Sequence, residues 1–223
     1  MLQKKSFLNV LFIFILSANT LFSQEIDTLS IKIKYTPAFK FEDGIFLNFD
    51  RVLHNKPVSK SQIITSLSLQ SPVFFEEILK ENDIKFIDKA GNTAKINISE
   101  IWGYSNKGVL FINYTGSFNR IPGIASLTHF SSYVTVSDIE YEPYGYSGMQ
   151  MTPATRTELR QYLLNFETGE IFDYQVSEVE ILLMKDTELY AEFSNLSKRN
   201  KRKLMYLYVR KFNDKHPVFL YSE

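Results

Sequence analysis

Apolar and polar residues alternate in several segments between residues 29 and 175, with the period of two that is typical of half-buried β-strands. Leu29, Ile31 and Ile33, for example, are separated by single polar residues. In a later turn, Gly108 lies at a position that needs a positive φ. We predict β-hairpins over residues 84–98, 101–114 and 159–175, and further strands over residues 117–121, 124–130 and 133–141. The pattern therefore predicts an antiparallel meander.

The period changes to that of an α-helix at Val176. Ser177 and Glu180 have the spacing of a capping box, which predicts that a helix begins there. A second helical pattern begins near Thr187. We expect it to form one continuous helix, because its early acids and later cations match the helix dipole. A break at Ser197 is the alternative.

The N-terminus has the pattern of a secretory signal peptide. Lys4 and Lys5 precede the apolar run 7–16, and a short polar stretch follows to Ser23. The run is shorter than the ~20 residues that a membrane-spanning helix needs. We therefore expect cleavage after Ser23 and an exported protein, either periplasmic or extracellular.

The remaining chain suits one domain, because about 200 residues can bury a sizeable core. We predict a signal peptide over residues 1–23 and a single mature domain over 24–223, which is β-rich over 29–175 and helical over 177–213. The predicted fold class is α+β. We expect an antiparallel meander, folded as a sandwich or a partly closed barrel, followed by two or three C-terminal helices.

Composition narrows the possible chemistry. The 25 basic residues balance the 25 acidic ones, so the chain as a whole has no net field that attracts nucleic acid or a membrane, and we expect no nucleic-acid partner. The mature part contains no apolar run that predicts a transmembrane helix. Cysteine is absent, which excludes disulfides, thiol nucleophiles and the cysteine that carries a lipid anchor.

Residues for acid–base or metal chemistry are few. The three histidines, His54, His129 and His216, are far apart in sequence and form no metal-binding motif, so we expect no metal and no cofactor. We interpret His129 as a residue of the sheet and the other two as solvated turn residues. No nucleotide-binding glycine loop and no hydrolase Gly-x-Ser-x-Gly motif is present.

Three acids, Asp138, Glu140 and Glu142, alternate along a predicted strand and therefore lie on one of its faces. Such a row could bind calcium or act in hydrolysis. It lacks the facing second acid that glycoside hydrolysis uses, so we favour the water-exposed face of a half-buried strand.

The segment from Pro143 to Pro153 is the best candidate for a binding loop. Its glycines allow freedom, and its aromatic and thioether side chains offer adaptable apolar contacts. The candidate ligand or partner residues are Tyr144, Tyr146, Met149 and Met151. Packing over a sheet edge and mobility without function are the alternatives.

Two further features have a structural and a functional interpretation. Trp102 could stack on a sugar, but we favour a buried corner of the sheet. A basic block could bind an anionic membrane surface, although a solvated helix face is the favoured interpretation. This basic surface consists of Lys198, Arg199, Lys201, Arg202 and Lys203.

Three stretches, Asp43–Phe49, Ile101–Tyr114 and Lys211–Pro217, resemble a group of uncharacterised exported bacterial proteins. That group has no assigned activity, so the resemblance implies export and supplies no functional residues.

These observations favour a non-catalytic envelope or secreted protein, which binds an envelope protein or a glycan through the 143–153 segment. One alternative is a hydrolase of envelope glycan or peptide, with Asp138 or Glu140 as its acid. Another alternative is a peripheral protein that binds anionic membrane through the basic block. The sequence leaves the oligomeric state open.

Overall fold

The protein has an α+β fold, in which antiparallel sheets are followed by three C-terminal helices. A computed structural model describes residues 31–144 and 148–222, and the side chains of these residues except 138–144, 148–154 and 222. The predicted signal peptide at residues 1–23 lies outside the described residues.

The strands are β1 Ile31–Lys34, β2 Gly44–Phe46, β3 Val58–Ser59, β4 Asp83–Ile87, β5 Thr93–Asn97, β6 Gly103–Asn106, β7 Val109–Tyr114, β8 Ser117–Arg120, β9 Leu127–Tyr144, β10 Gly148–Asn165, β11 Ile171–Asp173 and β12 Phe219–Ser222. The helices are α1 Phe49–Leu53, α2 Phe74–Ile78, α3 Val176–Leu183, α4 Thr187–Ser194 and α5 Lys198–Lys215.

Within residues 31–144 and 148–222, the strands form four antiparallel sheets, and these sheets do not close into a barrel. The largest has the order β3-β2-β6-β7-β8, and a second has the order β11-β10-β9. The hairpin β4-β5 is the third sheet. The fourth pairs β1 with β12, so that Ile31 lies opposite Ser222 at the two ends of the described chain. The predicted meander is therefore confirmed as antiparallel, but it is divided between separate sheets.

Three hydrophobic cores separate these layers. The first core lies between the five-stranded and three-stranded sheets, and it is built around Phe46, Leu110, Ile112, Phe130, Tyr162 and Phe166. The second core lies on the other face of the five-stranded sheet, beneath α2 and the β4-β5 hairpin, and it is built around Ile45, Phe74, Phe75, Ile84, Phe86 and Tyr104. The third core joins the three-stranded sheet to α3, α4 and α5, and it is built around Leu127, Leu163, Val179, Leu189, Phe193 and Phe212. Both larger sheets therefore bury residues on both faces.

The predicted short hairpins are confirmed, because local turn chemistry specifies them. Between β4 and β5, the carboxylate of Asp88 accepts hydrogen bonds from the main-chain N–H groups of Ala90 and Asn92. Between β6 and β7, Lys107 and Gly108 have φ values of 54° and 76°, as a two-residue type I′ turn requires.

The prediction of a loop over residues 143–153 was wrong for the residues that the structure describes there. Strands β9 and β10 pair along their whole length, from Leu127 opposite Asn165 to Tyr144 opposite Gly148. We call this long pair the β9–β10 ribbon. The separate strands predicted at 124–130 and 133–141 are likewise one strand, β9.

The prolines of the ribbon lie at positions that tolerate them. The N–H of Phe166 donates to the carbonyl of Ser126, so hydrogen-bonded pairs recur at every second residue from this pair onward. Pro143 and Pro153 fall at the intervening, non-hydrogen-bonded positions. Their missing N–H groups therefore face away from the partner strand, and the ladder loses no bond.

The expectation of one continuous helix from Thr187 was also wrong. The chain breaks between α4 and α5, and the hydroxyl of Ser197 caps α5 by accepting from the N–H of Asn200. The third core explains the break. Phe193 and Tyr208 are 15 positions apart, which in a straight helix separates them by roughly 22 Å. After the break their ring centroids lie 5.1 Å apart.

The predicted capping box at the start of α3 is not formed. Helix α3 begins at Val176, with Gln175 at the N-cap and no side-chain cap. Glu180 instead forms an ion pair with Lys201 of α5, at 2.7 Å. Within the described residues, no helix combines the length and the apolar character that crossing a lipid bilayer demands.

Candidate binding groove

The outer edge of β9 carries main-chain groups without a partner strand. Since β9 pairs with β10 through residues 126, 128, 130 and 132, the N–H and C=O groups of the residues between them point away from β10. At Leu127 both groups are bound by the side-chain amide of Asn213, at 2.7 and 3.0 Å. No hydrogen bond within the described residues occupies the same groups of His129 and Ser131.

The outer edge of β8 is open in the same way. The N–H of Ile121 donates to the carbonyl of Leu110, which fixes the hydrogen-bonded pairs between β7 and β8. The N–H and C=O groups of Phe118 and Arg120 therefore point away from β7. Strand β8 ends the order of the five-stranded sheet, so these groups have no neighbouring strand within the described structure.

The two open edges face each other across a groove, which we call the β8–β9 groove. At one end the strands are joined by side chains: the hydroxyl of Ser132 lies 2.8 Å from that of Thr115 and 3.5 Å from that of Ser117. Beyond this junction a space of about 450 Å³ opens between them. It is lined by Phe118, Arg120 and Pro122 on one side and by His129, Ser131 and Tyr133 on the other.

The groove is lined by polar, basic and apolar side chains. Arg120 is exposed, and no ion pair or hydrogen bond within the described residues engages its guanidinium. It is the only lining residue with a permanent charge. Tyr133 and Leu159 lie opposite each other on β9 and β10, and they are 64% and 59% exposed. These two side chains form an apolar patch beside the charge.

The histidines are not assembled into one site. His129 lies in the sheet as predicted. Its ring packs nearly perpendicular to that of Tyr174, with the two ring centroids 5.0 Å apart. The prediction that His54 is solvated was wrong, since its ring is half-buried and stacks on the ring of Tyr221, with the two ring centroids 5.1 Å apart. His216 was also predicted to be solvated, but it is half-buried and lies 3.3 Å from a carboxylate oxygen of Asp186.

Asp186, His216 and Ser126 come close enough to invite comparison with a hydrolytic triad. The hydroxyl of Ser126, however, donates to the main-chain carbonyl of His216 and not to its ring. A serine nucleophile needs a base that removes its proton, so this arrangement serves structure instead. Its role is to hold the end of α5 against the start of β9.

Asp186 lies in the layer formed by α3, α4 and α5, which we call the helical layer, and its carboxylate joins α4 to the end of α5. Its carboxylate caps α4 by accepting from the N–H of Leu189 at 3.0 Å, and it lies 3.2 Å from the ammonium group of Lys215. The bond from Leu189 is the main cause that holds the pKa of this carboxyl below its ordinary value, and Lys215 and His216 act in the same direction. The ionised form of Asp186 therefore stabilises the folded state.

This lowered pKa predicts an acid-dependent loss of stability. Because folding lowers the pKa, the carboxylate stabilises the protein at neutral pH, and this contribution is lost as the pH falls through the lowered value. Asp186→Asn keeps a capping oxygen and removes only the charge. The difference in urea midpoint between wild type and Asp186→Asn should be largest at neutral pH and shrink below about pH 4. Asp214→Asn, at an exposed position without an ion pair in the described structure, should show no such trend. A constant difference for Asp186→Asn would contradict the prediction.

The three acids of the predicted carboxylate row lie in β9. The residues opposite Asp138, Glu140 and Glu142 are Ala154, Thr152 and Gln150 of β10. The register therefore places no second carboxylate directly across the ribbon. Among the side chains that the structure describes, which do not include these three acids, no group of three or more His, Cys, Asp or Glu could hold a metal ion.

The predicted partner residues of the 143–153 segment lie around the far end of the ribbon. Tyr144 is the last residue of β9, and Met149 and Met151 belong to β10. Tyr146 lies outside the described residues. Their role in binding stays a prediction.

Trp102 is half-buried and packs against the first core, with its ring 5.7 Å from that of Phe49. The contact with the first core agrees with the favoured interpretation, a buried corner of the sheet, although the side chain is only half-buried. The basic block divides into one half-buried and four exposed positions. Lys201 is half-buried against Glu180, whereas Lys198, Arg199, Arg202 and Lys203 are exposed on α5.

No protein-family model, no curated protein and no solved structure matches this chain. Sequence reasoning missed the β8–β9 groove, because its two edges belong to different sheets. The one available signal was Arg120, a lone cation on the strand predicted over residues 117–121.

Proposed function

We propose that the protein is an exported, non-catalytic binding protein that takes up an extended polypeptide segment in the β8–β9 groove. The observation that carries this proposal is the pair of open strand edges, Phe118 with Arg120 and His129 with Ser131, on the two sides of one groove. Export is inferred from the pattern of the N-terminus, where Lys4 and Lys5 precede an apolar run.

Strand addition is the mode of recognition that suits open edges. An added strand donates and accepts main-chain hydrogen bonds at every second residue, which matches the spacing of the free groups on β8 and on β9. A polypeptide carries donors and acceptors at this spacing. Unpaired edges are otherwise a liability that proteins cover with side chains, as Asn213 covers Leu127 one step before the groove.

Side chains of the groove define the class of peptide. Alternate residues of an extended strand face the same side, so an acidic residue and an apolar residue can each meet a fixed position. Arg120 offers an exposed guanidinium, a group that binds carboxylates through charge-assisted hydrogen bonds. Tyr133 and Leu159 offer exposed apolar surface. The preferred segment is therefore extended, with an acidic residue near an apolar one.

A displayed library of random nine-residue peptides tests this proposal. Selection on the immobilised full chain is expected to enrich peptides that combine Asp or Glu with an apolar residue and that lack internal proline. Ser131→Pro removes one groove-facing N–H group and should weaken binding of a selected peptide about tenfold. Arg120→Gln should weaken it by a similar factor and reduce its dependence on salt.

Ser137→Pro is the matched control. Residue 137, like residue 131, occupies a non-hydrogen-bonded position of β9, so proline spares the ladder to β10 in both variants. Only Ser131 borders the groove. If the library yields no binder, or if both proline variants bind a selected peptide equally well, the groove is not the binding site.

The other interpretations stay predictions. Tyr144, Tyr146, Met149 and Met151 can supply further contacts at the far end of the ribbon. The register does not support a hydrolase that uses Asp138 or Glu140, because the residues opposite these two positions on β10 are not acidic.

A further inference from the structure

The cations of α5 separate into two sets, and the first set is neutralised inside the helical layer. Lys201, Lys211 and Lys215 face α3 and α4, where they form ion pairs with acids of those helices. The distances are 2.7 Å from Lys201 to Glu180, 2.8 Å from Lys211 to Glu192 and 2.5 Å from Lys215 to Glu188. These pairs, together with the third core, fix the orientation of α5.

The second set lies on the outward face of α5. Five exposed cations have no ion pair or hydrogen bond from their side chains within the described part of the chain: Lys198, Arg199, Arg202, Lys203 and Arg210. Two apolar side chains lie among them, Tyr206 at 68% exposure and Leu207 at 45%. We call these seven residues the outward face. Its members recur at spacings of three and four, which places them along one side of the helix.

The stability of the helix does not explain this arrangement. Cations near the N-terminus of a helix oppose its dipole, and the first turn of α5 contains no acid. Asp214 is the only acid in the whole helix. A set of charges that is unfavourable for the helix itself, and that has no partner in the described fold, indicates an anionic partner outside it.

We propose that the outward face of α5 docks on an anionic lipid surface. The cations would contact headgroups, and Tyr206 and Leu207 would reach the boundary between headgroups and acyl chains. The apolar pair favours lipid over an acidic protein, because it is exposed in the middle of the cations on a helix about 27 Å long. A planar interface accommodates such a face along its whole length.

Vesicle sedimentation tests the electrostatic part. The full chain should bind vesicles of equal parts phosphatidylglycerol and phosphatidylcholine, and it should neither bind pure phosphatidylcholine nor stay bound in 1 M salt, where the screening length is about 3 Å. The triple variant Arg199→Gln, Arg202→Gln, Lys203→Gln should weaken partitioning roughly 100-fold, at about fivefold for each cation.

A matched triple variant separates a local site from net charge. Lys80→Gln, Lys85→Gln, Lys89→Gln removes the same charge from exposed positions outside the helical layer. It should change partitioning by less than about threefold. An equal loss in both triples would overturn the proposal, as would failure of the wild type to bind anionic vesicles at low salt.

Insertion is tested with Tyr206→Trp. Vesicles with brominated acyl chains should quench the fluorescence of the new tryptophan, whereas wild-type Trp102, which packs against the first core, should stay unquenched. Binding without quenching at residue 206 would overturn the placement of Tyr206 at the acyl boundary. Because Ser131→Pro should leave vesicle binding unchanged, failure of this proposal and failure of the peptide groove are distinguishable.

Discussion

Replacing Phe193 with alanine is expected to lower the free energy of unfolding by about 3–5 kcal/mol. Phe193 is fully buried in the third core, where it contacts the ring of Tyr208, and the ammonium group of Lys201 lies 5.6 Å from its ring centroid. The substitution removes the side chain that holds the break between α4 and α5 in place. Urea denaturation followed by circular dichroism measures the loss.

Two further variants make this prediction specific. Ile181→Ala removes an exposed apolar side chain from the neighbouring helix α3 and should change stability by no more than about 0.5 kcal/mol. Phe193→Leu keeps the site apolar and should cost less than the alanine variant. A loss below about 1 kcal/mol for Phe193→Ala would show that the third core does not depend on this ring.

Gly103→Ala is expected to destabilise the protein by about 3 kcal/mol or more. Gly103 lies opposite Ile112 in β6, the central strand of the five-stranded sheet. A β-carbon at this position would lie 2.0 Å from the main-chain carbonyl oxygen of Phe111. Because this oxygen belongs to the main chain, it cannot move aside as the end of a flexible side chain can, and β6 and β7 would have to separate. Thermal and urea unfolding of the purified variant measure the effect.

Gly123→Ala is the control for the general effect of adding a methyl group. No heavy atom lies within 4 Å of a β-carbon built on Gly123. This substitution should be neutral or slightly stabilising, by less than about 1 kcal/mol, because it restricts the unfolded chain. Similar stabilities for Gly103→Ala and Gly123→Ala would contradict the close approach of β6 and β7.

The sequence predicted those parts of the fold that neighbouring residues specify. The β4–β5 turn depends on Asp88 and the β6–β7 turn on Lys107 with Gly108, and both lie within the segments that they join. The α+β class followed from the change of period at Val176, which marks the first residue of α3. Local chemistry was sufficient in these cases.

The sequence did not predict features that arise from contacts between distant segments. The break at Ser197 depends on the packing of Phe193 against Tyr208, and a helix dipole argument alone favoured continuity. The pairing of Ile31 with Ser222 joins the two ends of the described chain. The β8–β9 groove likewise depends on how two sheets meet, which no local pattern encodes.

Composition misled the prediction in the ribbon. Glycines and two prolines between residues 143 and 153 suggested a loop, because proline usually interrupts a strand. The register removes this objection, since Pro143 and Pro153 both lie where the ladder needs no N–H group. The propensity of a single residue does not show whether that residue falls at a hydrogen-bonded or a non-hydrogen-bonded position of the ladder.

The same alternation of hydrogen-bonded and non-hydrogen-bonded positions distinguishes the two halves of the ribbon edges. An exposed strand edge invites uncontrolled association, and a proline that lacks an outward donor discourages it. Pro143 and Pro153 place this protection on the far half of both ribbon edges, while the near half, at His129 and Ser131, has none. The far half of the ribbon is therefore protected against edge-to-edge association, and the edge at His129 and Ser131 lacks this protection.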